Sequence, residues 1–118
     1  MQMQSIPVTA VGGAATVYSD IVRGAIHRIE YVKTDFANGV TLVVTTERTG
    51  QAVLSIAANA MNASTVYHPR NAASKVADGV AVTVFDIPVF ALTERLKFVF
   101  ADAGVDTKLG TIKLFTEG

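Results

Sequence analysis

A period of two in hydrophobicity, repeated in short runs, constrains this chain more than any other feature. Leu96, Phe98 and Phe100 alternate with Arg95, Lys97 and Val99, and Ile112 and Leu114 alternate with Thr111, Lys113 and Phe115. Successive side chains of an extended backbone point to opposite faces, so this spacing gives a strand one apolar face, whereas a helix needs a period of 3.6. Val40 to Thr46 reads VTLVVTT, a β-branched run that a helix disfavours. Gln51 to Ile56 and Val80 to Phe85 are further short runs of the same kind. Ile21 to Lys33 is longer, and its apolar positions change parity between Ile26 and Ile29, which predicts a β-bulge or a strand bend.

Turn signals separate the runs. Asn38-Gly39 closes Asp35-Phe36-Ala37-Asn38-Gly39, and Glu47-Arg48-Thr49-Gly50 reads as a four-residue hairpin loop. Asp78-Gly79 and Asp102-Ala103-Gly104 punctuate the second half, and Pro88 marks an edge or bend within Asp86 to Leu92. Ala57 to Ser64 is small, polar and unpatterned, and predicts a long loop with room for a single helical turn. Seven to nine short strands with little helix predict an all-β fold, a single-domain β-sandwich of jelly-roll or immunoglobulin-like style. The order of the strands does not follow from the pattern. A chain of 118 residues fits one domain and would hide roughly 12,000 Å² of an unfolded surface of roughly 18,000 Å². The final Glu117-Gly118 reads as a frayed end.

Composition matters through charge. Ten Lys and Arg balance ten Asp and Glu, and charged residues make up 17%, against a usual share of about 25%. Balance leaves no electrostatic footprint for nucleic acid or an anionic membrane. The chain has no cysteine, which removes disulfides, thiolate zinc sites and a cysteine nucleophile. Gln2, Gln4, Ser5, Pro7, Gly12 and Gly13 break any apolar run near the N-terminus, and no basic stretch precedes it, so a soluble protein made without an export signal is expected.

The charge deficit is local. Met1 to Ser19 contains no charged side chain, and Thr49 to Pro69 contains none apart from His68. Both segments include Gly, Asn or Ser, so they are not wholly core, and part of each is expected to be buried against other chains. Residues 1–19 read as a charge-poor N-terminal arm or edge strand. The contact residues expected from these segments are Met3, Ile6, Val8, Met61, Tyr67 and Arg70. Arg70 ends the second uncharged stretch, and either pins that loop to a carboxylate or is a solvated surface arginine.

Candidate chemistry is sparse. His27 reads as a half-exposed sheet residue, and His68 lies in the loop Tyr67-His68-Pro69-Arg70 with no acidic residue or second histidine near it in sequence. No hydroxyl residue sits in a GxSxG elbow, and Asp102 with Asp106 reads as a turn rather than a catalytic pair. Gly12-Gly13 lacks the GK[ST] of a phosphate loop, and Asn62-Ala63-Ser64 reads as an accidental sequon. Tyr18, Tyr31 and Tyr67 form no aromatic row of the kind that stacks bases or sugars. The expectation is a protein that is not an enzyme, with no catalytic residue, metal or cofactor.

Four segments resemble a known group. Ile29-Glu30-Tyr31-Val32-Lys33-Thr34-Asp35-Phe36-Ala37-Asn38-Gly39-Val40 precedes Asn62-Ala63-Ser64-Thr65-Val66-Tyr67-His68-Pro69-Arg70, and Glu94-Arg95-Leu96-Lys97 and Gly110-Thr111 follow. Their order and spacing resemble small virion structural proteins of tailed bacteriophages, over roughly Ile21 to Thr116. This chain departs from that pattern in carrying His68 between Tyr67 and Pro69, and in lacking an Ala/Gly-rich connection within Val84 to Leu92. The resemblance implies a head decoration or cement protein, with the major capsid protein as partner, a homodimer or homotrimer as its own state, and neither nucleic acid nor membrane bound. It implies a place on the capsid exterior after assembly in the bacterial cytoplasm. The alternatives are a head–tail adaptor or tail component, and a carbohydrate-binding β-sandwich module.

Overall fold

A computed structural model describes residues 2–59, 61–74 and 79–117, apart from the side chains of 72–74, 82–86, 88 and 92. Ten strands follow one another: β1 (Gln2–Ala10), β2 (Ala15–Tyr18), β3 (Val22–Lys33), β4 (Thr41–Thr46), β5 (Ala52–Ile56), β6 (Thr65–Tyr67), β7 (Arg70–Ser74), β8 (Ala81–Glu94), β9 (Leu96–Ala101) and β10 (Lys108–Thr116). One sheet has the order β1-β10-β3-β8-β7, with β6 also on β3, and the other has the order β2-β9-β4-β5. The result is an all-β sandwich with no helix among the described residues. Ten strands exceed the seven to nine expected from the pattern. The additional ones include β1, β2 and β6, which lie in the two uncharged segments where apolar and polar residues do not alternate cleanly. Ala57 to Ser64 is a loop, with no helical turn in its described residues. Asp78 lies outside the described residues, and Gly79 beside it has φ +73°.

The alternation seen in sequence builds the core. Leu96, Phe98 and Phe100 of β9, with Leu42 and Val44 of β4, face Ile26, Ile29 and Tyr31 of β3 and Ile112 and Leu114 of β10. Phe36, from the turn after β3, sits edge-on to Phe100 at 5.4 Å between ring centroids and lies 6.1 Å from Tyr31. A Cβ at Gly110 would come within 3.2 Å of the Phe36 ring, so only glycine lets β10 pass that ring without a shift. The Tyr31 hydroxyl is buried with no hydrogen-bond partner among the described residues. Burial, with smaller contributions from Tyr67 and Asp35, pushes its pKa up to about 12.

Two of the segments quoted above as family-like, residues 29–40 and 62–70, meet in space, and Gly110 of a third packs against Phe36. Lys33 donates from Nζ to Asn38 Oδ1 at 3.0 Å and to the Asn62 carbonyl at 2.8 Å, while its backbone N–H donates to Ser64 Oγ at 2.9 Å. The Gly39 N–H donates to Asn62 Oδ1 at 3.3 Å, and Asp35 Oδ1 accepts the Leu109 N–H. These contacts fasten the loop of residues 57–64 to the turn after β3. The order and spacing of those segments therefore have a structural cause in this chain.

β3 contains the irregularity that the parity change predicted. Arg28 pairs with Phe115 and Ile26 with Thr116, so His27 is an extra residue opposite a continuous β10. Before the bulge the inward positions are even-numbered, as at Val22 and Ile26, and after it they are odd-numbered, as at Ile29 and Tyr31. A second bulge lies in β8. There Gly24 pairs with Ala91 and Val22 with Glu94, and Thr93 takes φ +54°, a strained conformation for a β-branched residue. The N-terminal half of β8 pairs only with β7. That ribbon helps stretch the molecule to 51 × 27 × 22 Å and the radius of gyration to 14.8 Å, where about 13.5 Å is usual at this length.

Candidate functional site

β1 and β2 stand together at one lateral edge, β5 ends the four-stranded sheet on its far side, and β6 lies beside β3 on the side away from β10. These four strands are drawn from the two uncharged segments, and none contains Asp, Glu, Lys or Arg. β1 is nine residues long and pairs with β10 alone, so among the described residues its outer row of N–H and C=O groups has no strand partner. Sheet edges of this length are normally guarded by lysine, proline or a bulge, and β1 has only Pro7. A groove of about 370 Å³ runs along Met3, Gln4, Ser5, Ile6 and Pro7, and is flanked by Tyr18 and Asp20.

Of the expected contact residues, Met3 is 52% exposed and Ile6 is half-buried, and both line that groove. Val8 and Met61 are corrected: they are 1% and 0% exposed and belong to the core. Val8 sits at an inward position of β1 opposite Gly110, and Met61 turns inward from its loop, so neither offers surface to another chain. Tyr67 and Arg70 are half-buried and flank the exposed His68. Val53, Ile56 and Pro69 are also buried, so the second uncharged segment supplies core as well as edge.

Two polar clusters adjoin these strands. The first surrounds Glu94, which is 4% exposed. Its Oε1 accepts the backbone N–H of Arg48 at 2.7 Å and of Thr49 at 3.0 Å, and its Oε2 accepts the Thr49 hydroxyl at 3.0 Å. Burial alone would raise the pKa of this carboxyl. The hydrogen bonds from Thr49 and Arg48, with the Arg48 charge, outweigh it and hold the carboxyl below its ordinary value. The next residue, Arg95, grips Glu47 with Nε and Nη2 and lies 4.4 Å over the Tyr18 ring. Glu94-Arg95 therefore locks the β4–β5 turn to the point where β8 passes into β9.

The second cluster forms at the bulge. Because His27 is inserted, His27 and Arg28 both face outward, which a regular strand forbids for neighbours. On its far side β3 pairs with β8 up to Ile26 and with β6 from Ile29, so neither strand pairs with His27 or Arg28. The turn His68-Pro69 crosses this gap. Arg70 donates from Nη1 to the His27 carbonyl at 3.4 Å and to the Pro69 carbonyl at 2.6 Å, so it does hold the loop, through backbone oxygens. Arg28 stacks 4.2 Å from the centre of the Phe115 ring and pairs with Glu30 Oε2 at 3.1 Å. His27, Arg28, His68, Arg70 and Phe115 line a cleft of about 320 Å³. The sequence treated the two histidines as unrelated. The parity change in β3 and the Tyr-His-Pro-Arg loop are separate signals in sequence, and only strand pairing brings them to one place.

The described lining of this cleft contains no carboxylate. No group of three or more histidine, aspartate or glutamate residues suited to a metal occurs among the described residues. No helix of the described residues is long and apolar enough to cross a membrane. No family model and no curated protein matches the sequence. Among solved structures, the crystal structure of FLHE aligns with 97% of this chain and 96% of its own, at 11% identity and a TM-score of 0.38.

Proposed function

We propose that this chain is a virion structural protein of a tailed bacteriophage, one that decorates or cements the capsid shell through its uncharged sheet edges. The observation that carries the reading is the edge formed by β1 and β2, which combines a nine-residue strand, guarded by Pro7 alone, with a groove beside it. Such an edge accepts a further strand through main-chain hydrogen bonds, with side-chain pockets adding selectivity. The uncharged strands β5 and β6, away from that edge, supply further contact surface, and a subunit with contacts on two sides can bridge neighbours in a shell. Repetition over many copies then multiplies modest interface energies. The segments resembling phage virion proteins agree with this role. In this chain they serve to fix the fold rather than to make a reactive site.

The test pairs oligomeric state with shell binding. The purified chain, measured by light scattering, is expected to self-associate or to co-sediment with expanded shells of a tailed-phage major capsid protein. Met3→Lys and Ser5→Lys place charge on the β1 edge at surface positions and should abolish association while leaving Tm unchanged. A chain that stays monomeric and ignores shells sinks the proposal. Copy number in purified virions then separates a place on the shell from one at the neck.

A further inference from the structure

The cleft at the bulge brings two arginines together with two histidines in a protein whose formal charge, with histidine neutral, is zero. Both of its histidines and two of its five arginines line one cavity, with no carboxylate among the described lining residues. The arginines are held in place before any ligand arrives. Arg28 is fixed by the Phe115 ring and by Glu30, and Arg70 by the carbonyls of His27 and Pro69. Arg28 Nε is buried and has no partner among the described residues. A guanidinium offers five N–H donors in a rigid plane and an imidazole offers one or two, so this wall is rich in donors. Donor forks of this kind match the oxygens of a carboxylate or phosphate. The volume of about 320 Å³ lies at the lower end of ordinary ligand pockets, which admits a small anionic group but not an extended polyanion.

We infer that the cleft formed by His27, Arg28, His68 and Arg70 is a binding site for a single oxyanion of the phosphate or carboxylate class. The inference does not depend on the virion reading. Its ligand comes either from solution, as inorganic phosphate, or from acidic side chains of a partner protein. Glu30 is the internal competitor, because it already holds one edge of the Arg28 guanidinium.

The experiment is an NMR titration of the His27 and His68 imidazoles in the full chain, at fixed pH and low ionic strength. Inorganic phosphate is used in one arm and a tetraglutamate peptide in the other. Saturable shifts at both imidazoles are expected. Arg28→Gln, at a half-exposed position, should weaken binding about tenfold, and His68→Gln, at an exposed one, should weaken it less. Glu30→Gln should tighten binding a few-fold, on the order of what one partly exposed ion pair contributes, and a merely structural role for Arg28 does not produce that gain. Saturation by phosphate but not by the peptide identifies a free ion as the ligand, and tighter binding of the peptide identifies protein carboxylates. Absence of saturation in both arms overturns the site, as does equal affinity in the wild type, Arg28→Gln and Glu30→Gln.

Discussion

The Glu94 cluster and the His27–Arg70 cleft are both polar, both lie where one strand changes partners, and both are bounded by a bulge. They differ in how their hydrogen-bonding capacity is used. Glu94 receives three donors from two residues of one turn, so its charge serves to hold the β4–β5 turn against the end of β8. The cleft leaves two imidazoles and an outward-facing guanidinium around open space. A buried polar group that is fully satisfied fixes structure, whereas donors gathered around a cavity are available to a ligand. That difference separates a structural charge from a binding charge where sequence shows only charged letters near a turn.

The comparison breaks most readily at Glu94. Glu94→Ala leaves the Arg48 and Thr49 N–H groups and the Thr49 hydroxyl without their acceptor, and Tm should fall on the order of 10 °C in calorimetry. Phosphate binding at the cleft of the still-folded fraction should not change. The carboxyl is held below its ordinary value, so its contribution is present above the unfolded-state pKa and is lost as pH falls through the folded-state pKa. Acid unfolding below about pH 4 should therefore be steeper in the wild type than in Glu94→Gln.

Arg70→Met removes the donor to the His27 and Pro69 carbonyls and should cost roughly 1 kcal/mol in denaturant melts, while also weakening anion binding. A mutant losing either property without the other would separate loop-fastening from ligand recognition. Tyr31 provides a third kind of polar group, buried and unsatisfied. Its folded-state pKa is raised to about 12, so stability should decline as pH rises from about 10 toward 12, because the unfolded state gives up that proton first. Tyr31→Phe should flatten this decline and raise stability at neutral pH by up to about 1 kcal/mol. The smallest stability effect belongs to Arg28→Gln, within about 0.5 kcal/mol of wild type, although it has the largest expected effect on the cleft.

Much of the sandwich was legible because alternation is a local property. Leu96, Phe98 and Phe100 announce an inward face in three letters, and the break between Ile26 and Ile29 placed the bulge to within two residues. The uncharged segments were legible as unusual, but their place among the strands was not, since that depends on strand order, which alternation does not encode. Val8 and Met61 show the cost. An apolar residue in an uncharged segment looks the same whether it faces a neighbour or the core, and only register tells them apart. The cleft was hidden for a related reason. His27 and His68 are separated by three strands in sequence, and they meet because β8 and β6 share one side of β3 and leave a gap between them.

The inserted residue in β3 has a consequence for how this site can evolve. Removing one residue at His27 would bring Ile26 and Ile29 to the same parity, so both would still face the core of a regular strand. The insertion is therefore not required by the packing; what it adds is a second outward side chain next to Arg28. A one-residue deletion would trade the cleft for ordinary strand pairing, whereas replacements keep the opening and change only its lining. The bulge works as a socket that the core does not need, in which new binding chemistry can be tried without disturbing the sandwich.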